Sequence, residues 1–341
     1  MIGGELLAKG SSSCVFKPNI PCTSSDNVND NKITKIVYSK KSKAMFFKEK
    51  KMNKKIESIS NYDKWAIIFN QFCKSPNNLI LSKYDKDIGL CINKGISNFN
   101  KTSYSLTGDY GGDTLHNYFK LKFKNINSTK TLEFEFIKLM VMMEPLFEGL
   151  VKLYTNGISH NDIKYNNIIY KNESDGFRYI DFGLSSFFKD KHNFSKRSKK
   201  EANTSRLYLF YPLDYLYFYI NKKNLYKETV NQRKNKIILS YIYRVFNMDL
   251  NKEIKDIINN LKNNNINEHD MISKIDTYSL GILIPLLFIQ ESNIITPYDK
   301  SNIILDFYLL FKDMCNPLPH KRPSPLKLLK LFKNLLKKHS F

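Results

Sequence analysis

The chain has 341 residues, of which 42% are hydrophobic and 25% charged, and its formal net charge is +22 at pH 7. This hydrophobic content suffices for one large core or two modest ones and excludes a globally disordered chain. The positive charge suits acidic partners such as nucleic acid, but the lysines are spread along the whole chain, so we favour a solvated basic surface over a dedicated nucleic-acid site.

The first third of the chain is predicted to be rich in strands. Ile33–Tyr38 is short and β-rich, and Lys43–Ile59 has the composition of a helix. Tyr104–Leu115 predicts a strand that runs into a Gly-Gly turn.

The remainder is predicted to be mainly helical. Apolar residues keep helical spacing over Leu132–Tyr154, and Gly157 is a plausible stop. Asn167–Tyr170 and Phe177–Ile180 predict two strands of a hairpin, because an Asp-Gly pair between them favours a tight turn. Residues 276–289 and 323–341 predict an apolar and an amphipathic helix, and residues 221–270 are Lys/Asn-rich with helical stretches. The expected fold class is α+β.

The segment Ile158–Tyr170, "ISHNDIKYNNIIY", places several polar side chains just before an apolar strand. The predicted hairpin would bring Asp162, Asn167 and Asp181 to one end. Two carboxylates and an amide oxygen are hard ligands suited to Mg²⁺ that carries phosphates, as phosphoryl transfer requires.

The pattern H-x-D-x-K-x-x-N followed by D-F-G resembles the catalytic and metal-binding loops of the eukaryotic-type protein kinases. The resemblance implies that Asp162 orients the substrate hydroxyl and that Lys164 contacts the γ-phosphate. It implies that Asn167 and Asp181 bind Mg²⁺, with Mn²⁺ as an alternative ion. It also implies a single two-lobed kinase domain over residues 1–341, with an N-lobe to about residue 108, a hinge at 109–114 and a C-lobe from 115 that contains an insertion at 221–270.

The N-terminal segment "LLAKGSSSCVFKP" is similar to the glycine-rich phosphate loop of that family, although Ala8 and Ser13 stand at two of its three glycine positions. Lys35 corresponds to the strand lysine that holds the α- and β-phosphates, with Glu49 as its preferred partner and Glu57 as the alternative. The ATP-binding residues implied by the resemblance are Ala8, Gly10, Ser11, Ser12, Ser13, Val15, Lys35, Glu49, Asp109 and Gly111.

Three further residues extend the resemblance into the C-terminal part. Asp276 is expected to brace the catalytic loop, and Arg322 is expected to pair with Asp214. Asn161 replaces the arginine that in this family receives a phosphate from the activation loop, so we expect activity that does not depend on loop phosphorylation.

These observations predict a Ser/Thr protein kinase that uses Mg-ATP and acts on protein hydroxyls. A small-molecule kinase of the choline or aminoglycoside type and a catalytically weak pseudokinase scaffold are the alternatives. The Asn/Lys/Ile bias, the short N-lobe and the insertion together resemble the kinase-like proteins of large cytoplasmic DNA viruses. We expect a monomer with unknown protein substrates, without a membrane span.

The cysteines and the apolar runs predict the compartment. Five widely spaced cysteines, an odd number, favour free thiols in a reducing environment over a disulfide framework or a zinc site. The first residues do not resemble a signal peptide, and the longest apolar run is too short to cross a bilayer. We therefore expect a cytoplasmic location, in the host cytoplasm or virion if the protein is viral, and no secretion.

Overall fold

The computed structural model describes residues 5–10, 13–22, 27–37, 42–74, 103–192, 194–196, 208–212, 214–215, 240, 243–249, 252, 255–256, 259–260, 267–294 and 296–339. The chain divides into two compact units. The first contains Met1–Gly112 and Ile180–Leu184, and the second contains Asp113–Tyr179 and Ser185–Phe341. The change of unit after Gly112 falls inside the predicted hinge, whereas the return of Ile180–Leu184 to the first unit was not predicted.

The first unit is built on a five-stranded antiparallel sheet with the strand order β1-β2-β3-β5-β4. Its strands are β1 (Glu5–Lys9), β2 (Ser13–Lys17), β3 (Lys32–Val37), β4 (Phe69–Lys74) and β5 (Tyr104–Asp109). β3 is the central strand, and its last four residues are all buried. The strands predicted from Ile33 and from Tyr104 are confirmed over the described residues.

One main helix, α1 (Ser42–Glu57), packs on this sheet, as predicted. Phe46 anchors it in a buried apolar cluster. The side chain of Asn53 accepts the backbone N–H of Phe69 at 3.0 Å, and its amide nitrogen donates to the carbonyl of Glu49 at 2.7 Å. These bonds fix α1 against β4 and thereby set the position of Glu49, one turn earlier.

The prediction of free thiols is wrong for the first unit. Cys22 and Cys73 form a disulfide, and Cys14 is disulfide-bonded as well. The hydroxyl of Thr34 on β3 accepts the N–H of Ile20 at 3.0 Å and donates to its carbonyl at 3.1 Å, so the segment after β2 crosses the sheet and carries Cys22 to β4. These disulfides contradict the expectation of free thiols on which the predicted reducing compartment rested.

The second unit is mainly helical, with short strands near its start. Its helices are α2 (Leu115–Phe123), α3 (Thr129–Thr155), α4 (Glu268–Ser273), α5 (Ile275–Glu291), α6 (Asn302–Met314) and α7 (Pro325–His339). Its strands are β6 (Asp113–Thr114), β7 (Ile158–Ser159), β8 (Ile168–Tyr170), β9 (Arg178–Tyr179) and β10 (Ser186–Phe187). The predicted long helices are confirmed as α3, α5 and α7, and the α+β class is confirmed.

Helix α3 begins and ends where its sequence provides caps. The Ser128 hydroxyl accepts the N–H of Thr131 at 3.1 Å, and Gly157 follows the last turn with φ +64°, a conformation that favours glycine. The predicted stop is thus confirmed. Helix α5 is buried on nearly all sides, as expected for a helix that is apolar all round, and Phe288 on it contacts Phe119 on α2 and Phe136 on α3.

The predicted hairpin of β8 and β9 is confirmed, and it docks on α3 at a proline. Pro145 lacks an N–H and interrupts the hydrogen bonds of α3. Near this interruption the carbonyl of Met142 accepts the N–H of Phe177 at 2.8 Å. Gly176 has φ +69°, and a Cβ there would lie 2.8 Å from the Pro145 ring. Only glycine fits this contact, which positions the hairpin that follows Asn167.

A buried ion pair connects the end of the second unit to its middle. Arg322 donates through Nη1 and Nη2 to both carboxylate oxygens of Asp214, with Nη1 at 3.2 Å. Both side chains are fully buried, and the Arg322 Nε also donates to the carbonyl of Asn316 at 2.6 Å. The predicted pairing of Arg322 with Asp214 is confirmed.

Two further predictions concern the rest of the chain. Among the described residues, no helix has the length and apolar character needed to cross a membrane. The predicted insertion at 221–270 lies mostly outside the described residues, and its last residues belong to α4.

Candidate active site

The first unit contains a lysine held by two carboxylates. The ammonium of Lys35, on β3, lies 2.9 and 3.1 Å from the two carboxylate oxygens of Glu49 on α1, and 2.9 Å from Oδ1 of Asp181. The predicted pairing with Glu49 rather than Glu57 is therefore seen in the structure. Lysine has three N–H donors, and these contacts use all of them.

The electrostatics of this cluster keep the lysine charged. Burial alone would lower the pKa of Lys35, but the charges of Asp181 and Glu49 outweigh it and hold that pKa above its ordinary value. The formal charge of the three groups is negative. The Asp181 side chain is 39% exposed, whereas that of Glu49 is buried. The cluster therefore presents a carboxylate to solvent beside a permanently charged ammonium.

The packing around Gly183 explains why the D-F-G sequence has glycine at its third position. A Cβ at this position would lie 3.0 Å from Oε2 of Glu49 and 3.2 Å from Oδ1 of Asp181. Its N–H also faces Oδ1 of Asp181 at 3.4 Å, while the neighbouring Phe182 is buried. Any side chain at 183 would crowd the carboxylates that bind Lys35.

The predicted phosphate loop is the turn between β1 and β2. The N–H of Gly10 donates to the carbonyl of Ser13 at 2.8 Å, and Ala8 pairs with Val15 across the two strands. Ser11 and Ser12 lie outside the described residues. The loop is thus a hairpin turn at the predicted place, and its role toward a nucleotide stays a prediction.

The predicted hinge residues Asp109 and Gly111 lie at the end of β5 and just after it, in the first unit. Asp109 is the last residue of that strand and is exposed, and Gly111 is buried. Between them, the N–H of Tyr110 donates to the carbonyl of Asn31 at 2.8 Å, and its ring lies 3.5 Å from the ammonium of Lys17. These contacts hold the end of β5 against the sheet, and adenine binding here stays a prediction.

In the second unit, Asp276 braces the loop that follows β7. Its carboxylate accepts the backbone N–H groups of His160 at 2.6 Å and Asn161 at 2.9 Å, and the hydroxyl of Ser159 at 3.0 Å. Burial raises the pKa of Asp276, and the hydrogen bonds from these donors act against that rise. The predicted brace is confirmed.

Asn161 has a left-handed backbone with φ +61°, which asparagine tolerates better than most residues. Its amide oxygen lies 3.0 Å from the Ser159 hydroxyl, whose single hydrogen it shares with Asp276, and its amide nitrogen donates to the hydroxyl of Ser186 on β10 at 2.9 Å. The amide therefore fixes the loop internally. The expected independence of activity from loop phosphorylation stays a prediction. Phosphatase treatment would test it.

Asp162 and Asn167 meet in the second unit, together with Lys164. Oδ2 of Asp162 accepts from the Lys164 ammonium at 2.9 Å and from the Asn167 amide nitrogen at 2.7 Å. That amide nitrogen also donates to the Asp162 carbonyl at 2.9 Å. Because Asp162 uses its nitrogen, Asn167 has its amide oxygen left as a ligand atom. The predicted convergence of these residues with Asp181, in the other unit, stays a prediction.

The sequence did not predict two tyrosines that contact this loop. The Tyr208 hydroxyl lies 3.3 Å from Oδ1 of Asp162, and the Tyr211 hydroxyl donates to the carbonyl of Asn161 at 2.7 Å. The only sequence signal was an aromatic run shortly before Asp214. In the part of the chain that the structure describes, no cluster of three or more His, Cys, Asp or Glu residues could hold a metal; the predicted Mg²⁺ ligands are one carboxylate and one amide.

Comparison with protein families agrees with this geometry. A family model described as protein kinase domain matches residues 96–209, about a third of the chain. No curated protein matches the chain. The match, with the sheet of the first unit and the helices of the second, confirms the predicted two-lobed protein-kinase-like fold class. It supports a phosphotransferase of the protein kinase family.

Proposed function

We propose that this protein is a Ser/Thr protein kinase that transfers the γ-phosphate of Mg-ATP to protein hydroxyls. The observation that carries the proposal is the Asp162 carboxylate, which Lys164 and Asn167 hold by one oxygen. The lysine cluster of the first unit supports it independently.

The first unit offers the groups that a nucleotide needs. Lys35 carries a permanent charge and is positioned by Glu49, so it would hold phosphate oxygens. Small residues at Ala8 and Ser13, on either side of the turn at Gly10, would allow phosphate to approach the backbone closely.

The oxygens of Asn167 and Asp181 fit Mg²⁺, which prefers hard oxygen ligands and keeps several waters. The Asn167 nitrogen is used by Asp162, and the Asp181 side chain is partly exposed. When bound, the ion would neutralise charge that develops on the transferred phosphoryl group.

The chain's own residues would then prepare the acceptor. Asp162 would accept a hydrogen bond from the substrate hydroxyl and orient it for attack. Lys164 lies 2.9 Å from the same carboxylate, so its charge would meet the incoming phosphate oxygens. Asp276 would keep this loop fixed during turnover through its bonds to the loop backbone.

The test is the transfer of labelled γ-phosphate to casein, to histone and to the chain itself, followed by identification of the labelled amino acid. Asp162→Asn should lower the rate by roughly 10²–10⁴-fold, the loss typical of a positioned base. Asp299→Asn makes the same change at an exposed residue of the second unit and should leave the rate unchanged.

The alternatives predict different results. Label on serine or threonine that is lost in Asp162→Asn would support the proposal, and full turnover by that variant would contradict the role of Asp162. Nucleotide binding without label on any protein would favour the small-molecule kinase. Absence of nucleotide binding would favour the pseudokinase scaffold.

A further inference from the structure

The two carboxylate oxygens of Asp162 have different partners. Oδ2 accepts two short hydrogen bonds, from Lys164 and Asn167. Oδ1 accepts the hydroxyl of Tyr208 at 3.3 Å, which is long for an O–H···O bond. The side chain of Asp162 is 10% exposed. A group that approaches Oδ1 therefore meets the Tyr208 hydroxyl there.

The orientation of Asp162 does not require Tyr208. Besides the bonds at Oδ2, the backbone of Asp162 is held by the Asn167 amide nitrogen, which donates to its carbonyl, and by Nδ1 of His160, which accepts its N–H at 3.3 Å. Asp276 fixes the preceding residues. The weak contact at Oδ1 is therefore the one that can be exchanged at least cost.

Tyr208 itself is held in place by its surroundings. Its ring lies 5.0 Å from that of Tyr211 and 5.3 Å from that of Phe210, centroid to centroid. Its carbonyl accepts the N–H of Tyr211 at 2.8 Å, and the Tyr211 hydroxyl in turn donates to the loop at Asn161. The phenol of Tyr208 is thus directed at the carboxylate by an aromatic cluster.

The phenol remains a donor under ordinary conditions. Burial, and then the charge of Asp162, raise the pKa of Tyr208 far above its usual value, so the group stays protonated. A neutral O–H that points at Oδ1 is chemically the same donor that a serine, threonine or tyrosine of a substrate would offer to an orienting carboxylate.

We propose that Tyr208 is an internal competitor for the acceptor hydroxyl: its phenol occupies Oδ1 of Asp162, and a protein substrate must displace it. The proposal rests on the proposed kinase function. It makes Tyr208 a determinant of acceptor affinity, because substrate binds only the fraction of molecules in which Oδ1 has been released, and the apparent affinity falls by that fraction.

The experiment measures the KM for casein and the KM for ATP separately, for the full chain and for Tyr208→Phe. Loss of the hydroxyl should lower the KM for casein by about 3- to 10-fold, the value of a typical neutral hydrogen bond, and leave the KM for ATP unchanged. Tyr165→Phe is the matched control. It removes a hydroxyl that donates to Gln290 at 3.2 Å rather than to Asp162, and both constants should stay at their original values.

Tyr208→Ala separates the hydroxyl from the ring. A lower KM for casein in both Tyr208→Phe and Tyr208→Ala supports competition by the phenol. A change of this KM in Tyr208→Ala alone shows that only the packing of the ring matters, and it overturns the proposal. A higher KM for casein, or a lower kcat, in Tyr208→Phe would also overturn it, because the hydroxyl would then assist Asp162.

The same measurements separate the two proposals. If every variant transfers phosphate and all have the same KM for casein, the proposed competition by Tyr208 is contradicted. The proposed kinase function is then still supported. Absence of transfer to casein, histone and the chain itself, in the wild type and in Tyr208→Phe alike, removes the kinase function and the competition together.

Discussion

Each unit contains a basic side chain bound by carboxylate oxygens, and the two clusters differ in their access to water. In the second unit both side chains of the Arg322–Asp214 pair are fully buried. In the first unit the Lys35 cluster includes Asp181, whose side chain is 39% exposed. A sealed pair cannot exchange partners without unfolding, so it serves the fold. An open cluster can exchange a carboxylate contact for a ligand, so it is suited to a site.

The largest effect is expected at the sealed pair. Arg322→Ala leaves Asp214 buried without its cation, which should lower the free energy of unfolding by about 3–5 kcal/mol. Chemical denaturation would measure the change. Lys321→Ala, at the exposed neighbour, should stay within about 0.5 kcal/mol. The double variant Arg322→Met with Asp214→Leu should recover much of the loss, since it removes both charges. A loss below about 1 kcal/mol in Arg322→Ala would contradict the sealed-pair interpretation.

The open cluster should show a smaller loss of stability and a larger loss of activity. Lys35→Met should cost about 1–3 kcal/mol, because solvent at Asp181 compensates part of the missing charge. Phosphoryl transfer should fall by far more than this stability loss explains. Lys35→Arg is the control, because it keeps the positive charge and changes only the geometry of the group that carries it. If Lys35→Met destabilised the fold as much as Arg322→Ala, the distinction between the clusters would not hold.

The smallest effect is expected at a surface cluster. Asp306 on α6 accepts from Lys338 and His339 on α7, each at 2.7 Å, and the hydrogen bond from Lys338, followed by that from His339, lowers the pKa of Asp306. A lowered acid pKa stabilises the fold above the unfolded value near 3.8, and this contribution is lost as the pH falls below it. Asp306→Asn should therefore cost below about 1 kcal/mol at pH 7.

Denaturation of this variant and of the wild type at several pH values would test the sign. Their difference should be constant from neutral pH down to about pH 5 and should shrink as the pH falls through and below 3.8. A difference that grew toward acid pH would show that Asp306 is not held ionised by its neighbours.

Contacts within the candidate site could be predicted where its residues follow local patterns. Asp162, Lys164 and Asn167 lie within six positions of one another, so their spacing alone places them on one loop. Helices α3, α5 and α7 could be predicted because each shows a long apolar pattern, and Gly157 because a helix end favours a left-handed glycine.

The contacts that could not be predicted join residues far apart in the chain. Tyr208 contacts Asp162 across 46 positions, and no motif marks the tyrosine. The Cys22–Cys73 bond depends on how the segment after β2 crosses the sheet, which is set by the hydroxyl of Thr34 and has no signature in cysteine spacing. The place of Ile180–Leu184 in the first unit likewise follows from packing and not from sequence order.

The Cys22–Cys73 bond has a consequence for how the lysine cluster assembles. It closes a covalent ring with a sequence separation of 51, and both Lys35 and Glu49 lie inside that ring. In the oxidised chain the unfolded state is therefore already confined, and the chain-entropy estimate for a ring of this size is about 4 kcal/mol. The loop around Asp162 lies outside the ring. The lysine cluster thus forms from a covalently closed loop, whereas the loop around Asp162 forms from a stretch of chain that this bond leaves open.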